Sequence, residues 1–374
     1  MSDSARLAVT KPQIQSSPVQ ASGSGASVGP AAMAKPQIQS LQVFRGLAAL
    51  AVVAHHSALS TGAFVAGVPA WAMSIFDLGA LGVDFFFVLS GFIIMYAHFG
   101  DEGTGPAVRR YAFKRLVRIF PAYLPISLVL IVLYAALPGV SESADRGYSL
   151  LSSLLLLPAD GPPALSVAWT LVHELIFYAV FLLFFISRRW LAAGLLAWVV
   201  LILVGQQMQT PVGWLRYPFS VLNIEFMLGV LAAWVVKSWA SRRRPTYGWG
   251  WVVVTGVLVA FLGLTLMQIE VVTYPRLLFA FGLALLIVGF AIREQSAKLY
   301  WPGLLLLMGN ASYSIYLIHN PLLSVTQRLA ARLGLEWGGA LLFGVACSVL
   351  AGYAYFRTVE RPALRFFQNY SKAR

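Results

Sequence analysis

The chain has 374 residues, of which 59% are hydrophobic and only 11% charged, and its mean hydropathy is +0.75. A soluble domain carries about 25% charged residues, so this chain has too few to cover a water-facing surface and the composition predicts an integral membrane protein. The net charge of +13 does not point to nucleic acid, because the basic residues are scattered between apolar blocks instead of gathered into one patch.

Residues 1–34 are rich in Ser, Ala, Gly, Pro and Gln and lack the apolar core of a cleavable signal, which predicts a disordered tail. KPQIQS occurs at 11–16 and again at 35–40, with Met33 just before the second copy. Either the tail repeats a short segment or Met33 is the natural start. The remainder divides into a transmembrane domain over 35–366 and a short cytoplasmic tail over 367–374.

A helix needs about 20 mostly apolar residues to cross a bilayer. The hydropathy pattern predicts an all-α bundle of ten spans, near 42–60, 75–97, 118–137, 166–186, 190–206, 217–236, 249–268, 275–292, 309–328 and 338–356. Runs at 150–157 and 299–308 are too short to cross and read as re-entrant or surface helices. With both termini cytoplasmic, all of the 27 basic residues except Arg146, Arg216, Arg276, Arg328 and Arg332 fall on the inner side, as the positive-inside rule requires.

The first span, FRGLAALAVVAHHS (44–57), holds three groups that hydrocarbon solvates badly. Arg45 to His56 is eleven residues, about 1100° at 100° per residue, which returns to within about 20° of the starting face after a rise of about 16 Å. His55 sits about 80° off that stripe. Geometry therefore favours His56, in the outer half, with Arg45 near the cytoplasmic face. The competing reading is an interfacial Arg45 that snorkels and a His56 that only hydrogen-bonds backbone. Intramembrane ionisable groups are rare and usually functional, which favours a site.

Six stretches in order carry a resemblance. They are LQVFRGLAALAVVAHHS (41–57), LGVDFFFVLSGFIIMY (81–96), FKRLVRIFPAY (113–123), AWTLVHELIFY (168–178), NASYSIYLIHNP (310–321) and VERP (359–362). Together they resemble the membrane-bound acyltransferase 3 family, nearest its exopolysaccharide O-acetyltransferase branch. The family's first helix carries Arg, ten residues, then His, which Arg45 and His56 match and His55 does not. FKRLVRIFPAY is similar to its basic loop. The resemblance implies that Tyr316 and His319 line a tunnel for the acyl donor. His173 stands where the family more often has Val and reads as a spectator.

The remaining candidates complete a constellation. Glu174 lies about 12 Å below the outer end of its span and His56 about 6 Å below the end of its own, so the two side chains are expected to meet if their helices adjoin. A carboxylate beside an imidazole orients it for general-base work on a hydroxyl. Arg115 and Arg118, three apart on one helix face at the inner surface, suit a phosphate clamp on acyl-CoA, with Arg109, Arg110 and Lys114 adding positive potential. Ser312, Tyr316 and His319 share a face of the ninth span, with Tyr313 and Ser314 pointing elsewhere. Asp84, near the outer end of span two, is the candidate for the acceptor side, and Glu360 is expected to pair with an arginine at the cytoplasmic face.

The single cysteine, Cys347, in an apolar run, excludes an intrachain disulfide and any cysteine-based metal site. No metal site and no permanently bound cofactor are expected. Acyl-CoA, as acetyl-CoA, is the expected co-substrate, with a carbohydrate or lipid-linked oligosaccharide as acceptor in the bacterial inner membrane. A transporter or flippase of an acyl or glycolipid substrate is the alternative, since intramembrane charges also mark transport paths. Many transporters show two related halves, and neither the Arg45–His56 spacing nor the Glu174 segment recurs in the second half.

Overall fold

The computed structural model describes residues 38–65, 67–137, 147–207, 213–242, 248–269 and 275–372. The predicted tail, Met33, the first KPQIQS copy, Arg146, Arg243 and Arg244 lie outside the described residues. Among the described residues there are helices and no strand. Nine helical segments there are long and apolar enough to cross a membrane.

Chain order gives α1 (Gln39–Phe64), α2 (Ala70–Asp77), α3 (Gly82–His98), α4 (Gly105–Ala136), α5 (Leu150–Leu155), α6 (Trp169–Phe181), α7 (Leu183–Ile186) and α8 (Arg188–Gln207). Then follow α9 (Leu222–Ser241), α10 (Trp249–Ile269), α11 (Pro275–Ser296), α12 (Gly303–Arg332), α13 (Trp337–Tyr355) and α14 (Arg361–Lys372). A 3-10 turn at Leu78–Leu81 joins α2 to α3, and another at Ser166–Ala168 leads into α6. Large side chains such as Leu196 and Val200 on α8 and Trp251, Leu258 and Phe261 on α10 are exposed on the outside of the bundle. A contiguous apolar exterior of this kind suits lipid, not water.

Two expectations need correction. The basic stretch 109–118 is not a loop. It forms the first turns of α4, which the Thr104 hydroxyl caps by accepting from Ala107 N and which has a proline in its first turn. At 32 residues, α4 is about 48 Å long, well beyond the ~30 Å hydrocarbon core, so its basic turns can extend past the apolar layer. Nor is 299–308 a separate short element. Residues 303–308 open α12, a 30-residue helix that starts after Pro302. Its apolarity is diluted by Asn310, Ser312, Ser314, His319, Asn320 and Gln327, of which Ser312, Ser314, His319 and Gln327 are fully buried. Except for the exposed Asn310, these polar side chains face protein, so the helix that looks least like a membrane span is well enclosed.

Two close crossings hold the centre together. At the crossing of α1 and α12, a Cβ on Gly309 would strike the carbonyl of Gln42, and one on Gly46 would lie 3.0 Å from Gly309 N. At the crossing of α3 and α9, a Cβ on Gly91 would strike the carbonyl of Phe226, and one on Gly229 that of Val88. Small residues let membrane helices approach backbone to backbone where no hydrophobic force drives them together. The α1–α12 crossing brings the two helices' polar residues into direct contact.

Candidate active site

A cavity of about 1950 Å³ opens beside α4. Arg109, Arg110, Phe113 and Lys114 from α4 and Leu364, Phe367, Gln368 and Tyr370 from α14 form one part of its wall. Arg45, Ser90, Arg115, Arg118, Glu174, Tyr178, Ser312 and Tyr313 form another, together with Phe86, Thr170, Tyr316 and further apolar side chains. The cavity exceeds the several-hundred-Å³ pockets that hold drug-sized ligands.

Arg45 reaches the cavity from the second turn of α1, its Nη1 donating to Gln42 Oε1 at 3.2 Å. Arg115 also lines the cavity, with its guanidinium 5.7 Å from the Tyr178 ring, and its Nε is buried with no hydrogen-bond partner. Arg118 differs from its neighbour three residues away. Its Nη1 donates to Glu360 Oε1 at 2.5 Å, its guanidinium lies 4.9 Å from the Tyr313 ring, and Ser314 Oγ donates to the other Glu360 oxygen at 2.6 Å. The Glu360 carboxylate is thus satisfied on both oxygens. It is 1% exposed and belongs to a single π-helical turn, Phe356–Glu360, between α13 and α14. Glu360 pairs with an arginine as the sequence suggests, and that arginine is one of the two assigned to phosphate. Of the pair, Arg115 keeps the partnerless N–H.

Glu174 and His56 do not meet. Glu174 Oε1 accepts from Ser90 Oγ at 2.8 Å and from the Tyr178 hydroxyl one turn along α6. His56 Nδ1 contacts the Val52 carbonyl at 3.1 Å and His319 Nε2 at 3.2 Å. The depths were compatible, but α6 is not the neighbour of α1. α12 packs against α1 through the glycine crossing and supplies the imidazole's partner, whereas α6 turns Glu174 toward α3 and the cavity.

His319 is fully buried and does not line the cavity. Its Nδ1 lies 2.6 Å from the Tyr316 carbonyl. Tyr316 is the wall shared by cavity and imidazoles: its ring centroid is 5.6 Å from that of His319, and its hydroxyl donates to the Val167 carbonyl at 3.1 Å and lies 3.0 Å from Thr170 Oγ1. Ser312 shares the cavity face with Tyr316, and so does Tyr313, which was expected to point away; its hydroxyl donates to the Ile119 carbonyl at 2.9 Å. His55 Nδ1 lies 3.5 Å from Asp77 Oδ1, and His173 Nδ1 lies 3.0 Å from Asn223 Oδ1.

Asp84 offers no surface to an acceptor. It is fully buried and held by Arg276, whose Nε and Nη2 each reach one carboxylate oxygen, the latter at 2.8 Å. The fully buried Glu225 stands 4.0 Å from the same Nε. A carboxylate at the buried start of α3 needs an opposite charge, and the first turn of α11 supplies it.

Sequence reasoning missed Ser90, Tyr178 and Thr170. The i, i+4 spacing of Glu174 and Tyr178 on one helix face would have found the second. Nothing local predicts the first or third, because both act across helices.

Comparison with known proteins places the chain in a family. The profile described as "Acyltransferase domain" of the acyltransferase 3 family matches residues 38–357. "Exopolysaccharide production protein ExoZ" of Rhizobium meliloti (strain 1021) is 30% identical over 307 residues, covering 78% of this chain and 91% of that protein. "Acyltransferase MdmB" of Streptomyces mycarofaciens is 25% identical over 366 residues, covering 88% of this chain and 92% of that one. No solved structure matches the chain. The matched profile takes in α1 through the end of α13, and with it every cavity residue before α14; the chain belongs to the acyltransferase 3 family and is a membrane acyltransferase.

Proposed function

We propose that the protein moves an acetyl group from cytoplasmic acetyl-CoA to a sugar hydroxyl of an exported or cell-surface polysaccharide, or of its lipid-linked precursor, in the bacterial inner membrane with both termini cytoplasmic. The cavity carries this reading. It joins a strongly basic wall to Tyr316, whose ring lies against His319, the partner of His56. Coenzyme A combines several phosphate charges with a thin uncharged arm. The charges match Arg109, Arg110, Lys114 and Arg115 on the cavity wall, because guanidinium and ammonium groups form strong charge-assisted bonds to phosphate. The arm would run past Arg45 and Glu174 toward Tyr316.

At the far end, His56 takes the proton of the acceptor hydroxyl as that oxygen attacks the thioester carbonyl. The C–O bond forms, the C–S bond breaks, and the proton ends on the departing coenzyme A sulfur. General-base assistance of this kind contributes about 10²–10⁴-fold. Glu174 acts elsewhere in this scheme: held by Ser90 and Tyr178, it faces the donor arm. The name of the rhizobial relative, an exopolysaccharide production protein, supports a polysaccharide acceptor.

The test compares O-acetyl groups on surface polysaccharide from a deletion strain and its complemented parent by mass spectrometry, beside transfer from labelled acetyl-CoA by the purified protein in nanodiscs. Loss of O-acetyl groups on deletion and their return on complementation are expected. Unchanged acetylation with no transfer in nanodiscs rejects the reading.

A further inference from the structure

The hydrogen bonds around His56 and His319 admit one arrangement of protons. A backbone carbonyl can only accept. His319 Nδ1 lies 2.6 Å from the Tyr316 carbonyl, so that nitrogen carries a hydrogen, and in the neutral ring Nε2 is then a lone pair. His56 Nδ1 faces two acceptors, the Val52 carbonyl at 3.1 Å and the lone pair of His319 Nε2 at 3.2 Å, so it too carries a hydrogen. A hydrogen on His319 Nε2 would point at the hydrogen on His56 Nδ1. The result is a directional relay: His56 Nδ1–H donates to His319 Nε2, and His319 Nδ1–H donates to the Tyr316 carbonyl. His56 Nε2 is left with its lone pair, and this atom makes no hydrogen bond to protein and is not buried.

We infer that His319 is a positioning residue which, as a neutral imidazole, holds His56 with its proton on Nδ1 and its lone pair on Nε2 facing the acceptor. This rests on the acyl-transfer reading and gives His319 the place a buried carboxylate fills in serine hydrolases. Helix α12 is suited to the task. His319 is fully buried, its ring is flanked by Tyr316, and the close α1–α12 crossing fixes its distance from α1. The other titratable groups near His56 are His55, whose ring centroid is 5.0 Å away, and Asp77 beyond it, which faces His55. As His56 Nε2 gains the acceptor's proton, the Nδ1–H bond to His319 becomes charge-assisted and stronger. Stabilisation that grows along the reaction lowers the barrier without tightening substrate binding.

The experiment uses the full chain in nanodiscs, with ring-¹⁵N-labelled histidine, and the variants H319L and H319Q. The chain has five histidines, and the spectrum of H56Q assigns the His56 signals by difference. In the wild type, His56 Nδ1 and His319 Nδ1 are expected protonated, both Nε2 atoms unprotonated, and the His56 Nδ1 proton correlated with His319 Nε2. H319L should lose that correlation and lower kcat by about 10²-fold, with KM for acetyl-CoA within about two-fold. H319Q offers an amide oxygen to the same proton and should recover activity to within about ten-fold of wild type. A wild-type His56 protonated on Nε2, full activity in H319L, or H319Q no better than H319L overturns the inference. If the wild type transfers no acetyl group at all, the spectrum decides alone: the correlation upholds the relay while the function fails, and its absence overturns the relay.

Discussion

The α1–α12 seam and the cavity beside α4 carry polar chemistry of opposite kinds. In the seam, His319 is fully buried with each ring nitrogen in contact, and His56 leaves only Nε2 free. In the cavity, Arg109, Arg110 and Lys114 are exposed and Arg115 Nε lacks a partner. A buried polar group that lacks a bond costs about 1–3 kcal/mol, which the bonded nitrogens of the seam avoid, whereas the basic groups on the cavity wall remain open to solvent. Arg118 shows the boundary between the two. It lines the cavity, but Glu360 and Tyr313 occupy it, so of the two arginines three apart on this helix face Arg118 is the one held in an ion pair.

The largest effect expected is at the seam. His56→Ala should reduce acetyl transfer by about 10²–10⁴-fold or abolish it, with the protein still present in the membrane, and His55→Ala should retain most of the activity. Western blotting of membranes beside the nanodisc assay measures both, and reversed effects would break the assignment of the base to α1's inner stripe. Next comes the buried ion pair. Arg118→Ala leaves the Glu360 carboxylate uncompensated and should cost about 3–5 kcal/mol of stability, read as an early thermal transition in detergent. Arg115→Ala should show no such loss, and a common drop in both would erase the distinction between them.

Arg115→Ala tests the cavity from the other direction. Losing charge-assisted phosphate contacts should weaken acetyl-CoA binding by about 1.5–3 kcal/mol per contact and leave a short pantetheine thioester unaffected, by titration of each. Equal weakening of both donors would show that this arginine serves topology only. Smallest is the change at Glu174. Because it touches Ser90 and Tyr178 and not His56, Glu174→Gln should slow transfer by less than His56→Ala and leave the pH–rate profile in place across the titration of His56. A profile that moves would restore the carboxylate–imidazole pair that the depths along the helices suggested.

The amino-acid sequence alone was enough for the membrane class and the position of nearly every span, because both depend on spacing along one chain, in apolar runs of bilayer length. The span predicted at 166–186 coincides with the helical segment Ser166–Ile186. Where two features overlapped on one helix, local reading fell short. The basic turns of α4 looked like a loop, and the polar residues of α12 hid its first two turns. Partnership lay beyond any local pattern. That His56 faces His319 and not Glu174, that Arg118 is held by Glu360, and that Asp84 is closed off by Arg276 all join residues more than 150 positions apart. Helical periodicity says which side of a helix a residue is on and how deep it lies, but only the packing of helices, here fixed by glycines that let α1 meet α12 and α3 meet α9, decides which neighbour stands opposite.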